Sequence, residues 1–203
     1  KLIQATWDDA PHLDGERKVQ LLSQYGPHER KMRAQGIPIF GTGLVFPIPD
    51  EEIMCDPITL PTEWPRICAI DFGWDHPTAC VWLAWDKDTG TTYLYSEYRK
   101  SELSAQNHAP AIQQRGPWIP VCWPHDGMST EKGSGMGLAD QFRTAGVNMT
   151  IDHHRNPIAP GEKGKGDIKI EPGINRMLEA MENGTFKVFS TCTQWFQEKG
   201  MYH

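Results

Sequence analysis

From residue 67 onward, hydrophobic and polar positions fall into short, ordered blocks. Ile67 to Gly73 is an apolar run of the length of a buried strand, and Ala79 to Trp85 is a second. Asp86-Lys87-Asp88-Thr89-Gly90 reads as a hairpin turn leading into a third, partly alternating strand, Thr91 to Tyr98. The polar stretch Ala105 to Arg115 predicts a helix that Pro110 shortens or kinks. Ile119 to Trp123 makes a fourth strand. Leu138, Phe142 and Ala145 share one face of a helix stopped by Gly146, and a short strand follows around Val147 to Ile151. From Pro172, a stripe of Ile174, Met177, Leu178 and Met181 recurs at helical spacing, which is core packing, and ends at Gly184. Phe186 to Phe189 is a further strand. Thr191 and Gln194 have the spacing of a capping box for a last helix carrying Trp195 and Phe196.

Residues 1–60 have a different texture. Asp14 can cap a helix bearing Val19, Leu21 and Leu22, and Pro27 can start a second that Gly36 closes. Gly41-Thr42-Gly43, Pro47 and Pro49 then make an extended, turn-rich passage. This segment has too few apolar residues for a core of its own and reads as the border of a domain lying upstream. The expected division is therefore 1–60 and 61–203.

Three antiparallel strands followed by helix, strand, helix and strand is the order of the ribonuclease H-like fold, an α/β mixed sheet flanked by helices. In that fold the first and fourth strands run side by side and parallel, joined by a right-handed crossover. This order matters because each of those two strands leads to a carboxylate: Asp71 in Ile70-Asp71-Phe72-Gly73, and Asp126 in Trp123-Pro124-His125-Asp126. An unpaired ionised carboxylate inside an apolar strand is costly, so a partner, a proton or a metal ion is expected beside it. With no cysteine cluster nearby, hard carboxylate oxygens suit Mg²⁺ or Mn²⁺ rather than Zn²⁺. Two such ions serve phosphodiester hydrolysis.

Neighbouring groups offer weaker candidates. Asp75 in Gly73-Trp74-Asp75-His76-Pro77 is either an outer metal ligand or the cap of that turn. His76 and His125 are candidate accessory groups, with an ordinary loop histidine as the alternative for His125. Asp152-His153-His154 is read as a surface strand end, because consecutive histidines on a strand point to opposite faces. Pro160 to Lys169 lacks the order of a nucleotide-binding P-loop. Its Lys163, Lys165 and Lys169 can meet a phosphate backbone, or simply be solvated.

Composition narrows the classes. A net charge of −6 argues against a free-standing, charge-driven nucleic-acid binder, though not against an enzyme that touches phosphates locally. The five cysteines are odd in number and form no C-x-x-C pair, which fits reduced core thiols. No apolar run approaches the roughly 20 residues of a membrane span.

Taken together, Ala69-Ile70-Asp71-Phe72-Gly73-Trp74-Asp75-His76-Pro77-Thr78-Ala79 and Trp123-Pro124-His125-Asp126-Gly127 resemble the large terminase subunit of tailed bacteriophages, in its C-terminal nuclease domain. Two upstream strings extend the likeness: Thr6-Trp7-Asp8-Asp9-Ala10-Pro11-His12-Leu13 and the stretch from Gly36 to Pro47. These two resemble the passage linking the family's packaging ATPase to its nuclease. The resemblance implies a metal-dependent endodeoxyribonuclease of the viral DNA-packaging motor, cutting concatemeric DNA at initiation and termination of packaging. Asp71 and Asp126 take the places of the first and second catalytic aspartates, holding two ions. The third acid is expected beyond Tyr202-His203. Implied partners are double-stranded DNA, the upstream ATPase domain, the portal protein and the small terminase subunit, in the cytoplasm of the infected bacterial host. Other readings are a junction resolvase, a ribonuclease H, or a non-catalytic docking module for portal or small terminase.

Overall fold

The computed structural model of the protein describes residues 44–130, 135–158, 164 and 166–202, with positions 15, 17 and 18 besides. Of the two early helices expected from the sequence, only those three positions are described, and they are helical.

A six-stranded sheet organises the chain, in the order β1-β6-β4-β3-β2-β5. Its strands are β1 (Met54–Cys55), β2 (Arg66–Asp71), β3 (Thr78–Trp85), β4 (Thr92–Lys100), β5 (Val121–Cys122) and β6 (Phe186–Phe189). β2, β3 and β4 form the expected antiparallel meander, with Asp71 opposite Ala79 and Ala79 opposite Arg99. β5 lies parallel to β2, pairing Cys68 with Val121 and Ala69 with Cys122. Helices α1 (Asp50–Ile53), α2 (Ala105–Gln113), α3 (Leu138–Thr144), α4 (Glu171–Glu182) and α5 (Thr193–Lys199) flank it, with a 3₁₀ turn at His125–Met128.

The strand alternation sorts side chains onto two cores, one on each face of the sheet. Cys68, Ile70, Cys80, Trp82 and Val121 pack with Ala109 and Ile112 of α2 and Phe142 of α3. Leu94 and Val188 pack on the other face with Ile53, Met181 and Phe196. Phe46, Ile48 and the fully buried Ile53 belong to this second core, so the described part of the segment expected as a linker packs into the sheet domain. β1 ties it there by pairing in parallel with β6.

Three local expectations differ from what forms. Around Val147 to Ile151 there is a single bridge, Val121 to Met149, instead of a strand, because β5 itself is only two residues long. α2 runs through Pro110 unbroken; the carbonyl its missing N–H would have served belongs to exposed Gln106. The first turn of α5 is not closed by a Thr191/Gln194 box. Its N-cap position is Cys192, with no side-chain cap. The amides of Gln194 and Trp195 instead donate to the two carboxylate oxygens of Glu97 on β4, at 3.0 and 2.8 Å. A carboxylate at the positive end of a helix is favourable on both hydrogen-bond and dipole grounds.

Candidate active site

Because β2 and β5 are parallel neighbours, both chains leave the sheet along the same edge. Asp71 is the last residue of β2, and Asp126 lies in the 3₁₀ turn just after β5. Both side chains are exposed, which corrects the expectation of a buried carboxylate in mid-strand. Alternation explains it: Cys68 and Ile70 turn to the α2 core, while Asp71 takes the opposite face at the open end of the strand. Its carboxyl is nonetheless crowded. Local desolvation, and next the Asp126 charge, push the Asp71 pKa above the ordinary carboxylate value; the Phe72 amide works against the shift and the Glu198 charge adds to it.

Two glycines set this geometry. A Cβ on Gly73 would lie 2.2 Å from the His76 carbonyl oxygen, so the turn after Asp71 closes only around a bare backbone. That turn is held by buried Thr78: its hydroxyl donates to the Gly73 carbonyl at 2.9 Å and accepts from the Gly73 amide at 3.2 Å. Thr78 thus fills the role considered for Asp75. Asp75 and His76 sit exposed in the turn. A Cβ on Gly127 would lie 2.6 Å from both Phe72 and Trp123 ring carbons. Backbone at 127 therefore presses directly on the residue after Asp71, which seats the Asp126 turn against the end of β2.

Further groups converge here, of which Arg99 and Glu198 were not singled out in the sequence. Arg99 stands in the same cross-strand row as Asp71 and Ala79, and binds Glu198 of α5 at 2.5 Å. On the Asp126 side, the His125 and His153 rings meet edge to face, centroids 4.9 Å apart. His153 is buried, contrary to the reading of 152–154 as a surface end. Its backbone neighbour explains this, since the His154 amide donates to the Trp123 carbonyl at 2.7 Å and draws the segment beside β5. Lys169 is exposed, its amide bonded to Asp167; Lys163 and Lys165 lie outside the described residues.

Among the described residues, no three His, Cys, Asp or Glu side chains gather closely enough to hold a metal ion. Two hard carboxylates that repel one another are nevertheless a donor set suited to Mg²⁺, which commonly takes one or two carboxylates and completes its shell with water and substrate phosphates.

Residues 68–203 match the sequence profile of the terminase RNaseH-like domain. Over all 203 residues the chain is 41% identical to the terminase large subunits of Enterobacteria phage LP7 and Salmonella phage P22. It spans 41% and 39% of those proteins' lengths. Among solved structures, the P22 large terminase nuclease domain superposes with a TM-score of 0.71 at 41% identity, each chain covered to 80%. The large terminase of a thermophilic bacteriophage, solved in complex with ADP, shares the fold at a TM-score of 0.60 and 15% identity, over 98% of this chain and 46% of that one. No helix among the described residues is long and apolar enough to cross a membrane. By profile, identity and superposition, the chain belongs to the terminase RNaseH-like domain family, whose ribonuclease H-like fold it shares.

Proposed function

We propose that the chain is the metal-dependent DNA endonuclease domain of a viral DNA-packaging motor, cutting concatemeric genome DNA when packaging starts and ends. The observation that carries this is the pairing of Asp71 and Asp126 at neighbouring parallel strand ends, close enough for one charge to raise the proton affinity of the other. Asp71 and Asp126 hold two Mg²⁺ or Mn²⁺ ions in this reading. Bound ions supply the charge that stabilises the transition state and lower the pKa of water for attack on phosphorus.

The chain's own residues do the rest. Asp71, on a rigid strand, fixes one side of the site, and the Gly127 contact with Phe72 fixes Asp126 relative to it. His125 and His76 stand at the rim as candidate partners for a phosphate oxygen or a water. Lys163, Lys165 and Lys169 are candidate backbone contacts. Nothing in the sequence resembles a base-reading helix, so cutting is expected to be largely indifferent to sequence. The relatives are terminase large subunits, which supports the wider context. In it the upstream residues join the domain to a packaging ATPase, and portal protein and small terminase subunit are its partners in the host cytoplasm.

Cleavage of supercoiled plasmid with Mn²⁺, Mg²⁺ or EDTA, by the chain and by Asp71→Asn, tests the reading. Metal-dependent nicking and linearisation lost in the variant is the expected result. Normal cleavage by Asp71→Asn would overturn the assignment of the site.

A further inference from the structure

Beside the Asp126 turn lies an open groove of about 700 Å³, lined by Gly127, Met128, Arg143, Asp152, His153 and Arg155 among others. Its two guanidinium groups are held differently. Arg143 is neutralised by an ion pair with Asp140, and its other end donates to the Thr150 carbonyl at 3.0 Å. Among the described residues Arg155 has neutral acceptors only: the Gly166 carbonyl at 3.2 Å and His153 Nε2 at 2.8 Å. His153 Nδ1 lies 2.9 Å from the His154 carbonyl oxygen, which can only accept. The proton is therefore on Nδ1, and Nε2 is left as the acceptor for Arg155. The imidazole is buried, its ring edge-on to Trp123 and His125, so the acceptor is rigidly placed.

This arrangement orients a cation without cancelling it. A carboxylate partner would fix Arg155 equally well but would take its charge out of the groove. A neutral imidazole and a carbonyl fix the guanidinium and leave its charge in the groove, beside the turn that bears Asp126. We propose that the groove receives the phosphodiester backbone of DNA next to the cut site, with Arg155 as the phosphate contact and His153 as the residue positioning it. The inference rests on the nuclease reading, which supplies DNA as the occupant. Asp152 and Asp140 line the same groove, so it is not a broad basic track. One phosphate contact, from the one uncompensated guanidinium among the groove's described residues, is what the geometry provides.

The test is binding of a short fluorescent DNA duplex by the chain carrying Asp71→Asn, followed by anisotropy over a range of salt concentrations. Adding Arg155→Gln should weaken binding roughly tenfold at low salt and reduce the slope of log K against log salt by about 0.9, equally for unrelated sequences. Arg155→Lys, which keeps the charge and loses the fork, should keep the slope and weaken binding several-fold. His153→Phe, which leaves the Arg155 charge but removes the acceptor that fixes it, should keep the slope and weaken binding several-fold, and His153→Gln, which restores an acceptor, should recover most of the affinity. Native affinity and slope in folded Arg155→Gln, or native affinity in Arg155→Lys, would overturn the proposal. The nuclease reading stands or falls separately, on whether plasmid cleavage by the otherwise native chain requires Asp71.

Discussion

Asp126 raises the proton affinity of Asp71 across the gap between two parallel strands, and its charge ranks second only to local desolvation in doing so. An acid whose folded pKa lies above its unfolded value destabilises the fold when ionised. The penalty is present at neutral pH and fades as pH falls through the raised value. In EDTA at pH 7, Asp71→Asn should therefore melt higher than the parent chain. Because the group is exposed and screened, the gain should be at most ~1 kcal/mol, about 2–4 °C for a chain of this size. Near pH 4 the difference should close. Thermal scans at both pH values check this, and an advantage that persists unchanged in acid would show that the pair is not the cause. Mn²⁺ should raise the melting temperature of the parent more than that of the variant, since a ligand stabilises only the state that binds it.

Gly127→Ala should damage the site without removing a donor. Its Cβ would collide with the rings of Phe72 and Trp123, which belong to or pack against the α2-side core. Overpacking of that kind costs about 1–3 kcal/mol. The turn bearing Asp126 must shift away from Asp71 to relieve it. Metal titration calorimetry should show weaker Mn²⁺ binding in a chain that still folds by circular dichroism. Native metal affinity in Gly127→Ala would mean that the contact does not hold the Asp126 turn in place.

Much of this was legible in the sequence, for identifiable reasons. β2, β3 and β4 are continuous apolar or alternating runs bounded by turn residues, and Asp71 and Asp126 stand out because each follows such a run. β1 was not legible: two residues carry no period, and its partner β6 lies more than a hundred residues away in the chain. The cap of α5 was misread because the local Thr191/Gln194 spacing competes with Glu97, a residue that arrives only when β4 is in the sheet. Arg155 was invisible, and His153 was read as part of a surface strand end, for a similar reason. A lone Arg or His has no spacing signature, and its significance comes from which tautomer and which neighbour the fold imposes.

His108 of α2 makes a second pH-dependent element, away from the carboxylates. It is buried, with Nδ1 2.9 Å from the Tyr98 hydroxyl and its ring stacked on Phe142. Among the described residues its Nε2 has no hydrogen-bond partner. Burial pushes the pKa below the usual histidine value, only partly offset by the Leu103 backbone. The unfolded chain then takes up a proton before the folded one, so stability falls as pH drops below about 6.5. The slope contributed is at most ~1.4 kcal/mol per pH unit. Urea unfolding between pH 7 and 5 should show that slope flattened in His108→Phe. An identical slope in parent and variant would assign the acid sensitivity elsewhere.

Glu97 joins the sheet to the helix that bears Glu198. Its carboxylate satisfies two amides that α5 leaves open, and α5 in turn carries Phe196 in the core and Glu198 against Arg99. Removing a cap of this kind costs about 0.5–2 kcal/mol. Glu97→Ala should lose that amount and fray the first turn, giving faster amide exchange at Gln194 and Trp195. Glu97→Gln keeps an acceptor for one amide and loses the charge, so its cost should be intermediate. Any loosening of α5 also changes where Glu198 stands, and Glu198 is one of the charges that Asp71 feels. Glu97→Ala should therefore lower the Asp71 pKa measured by NMR titration in the absence of metal. An Asp71 titration unaltered in a variant with fast exchange at Gln194 and Trp195 would show that α5 and the carboxylate pair are electrostatically independent.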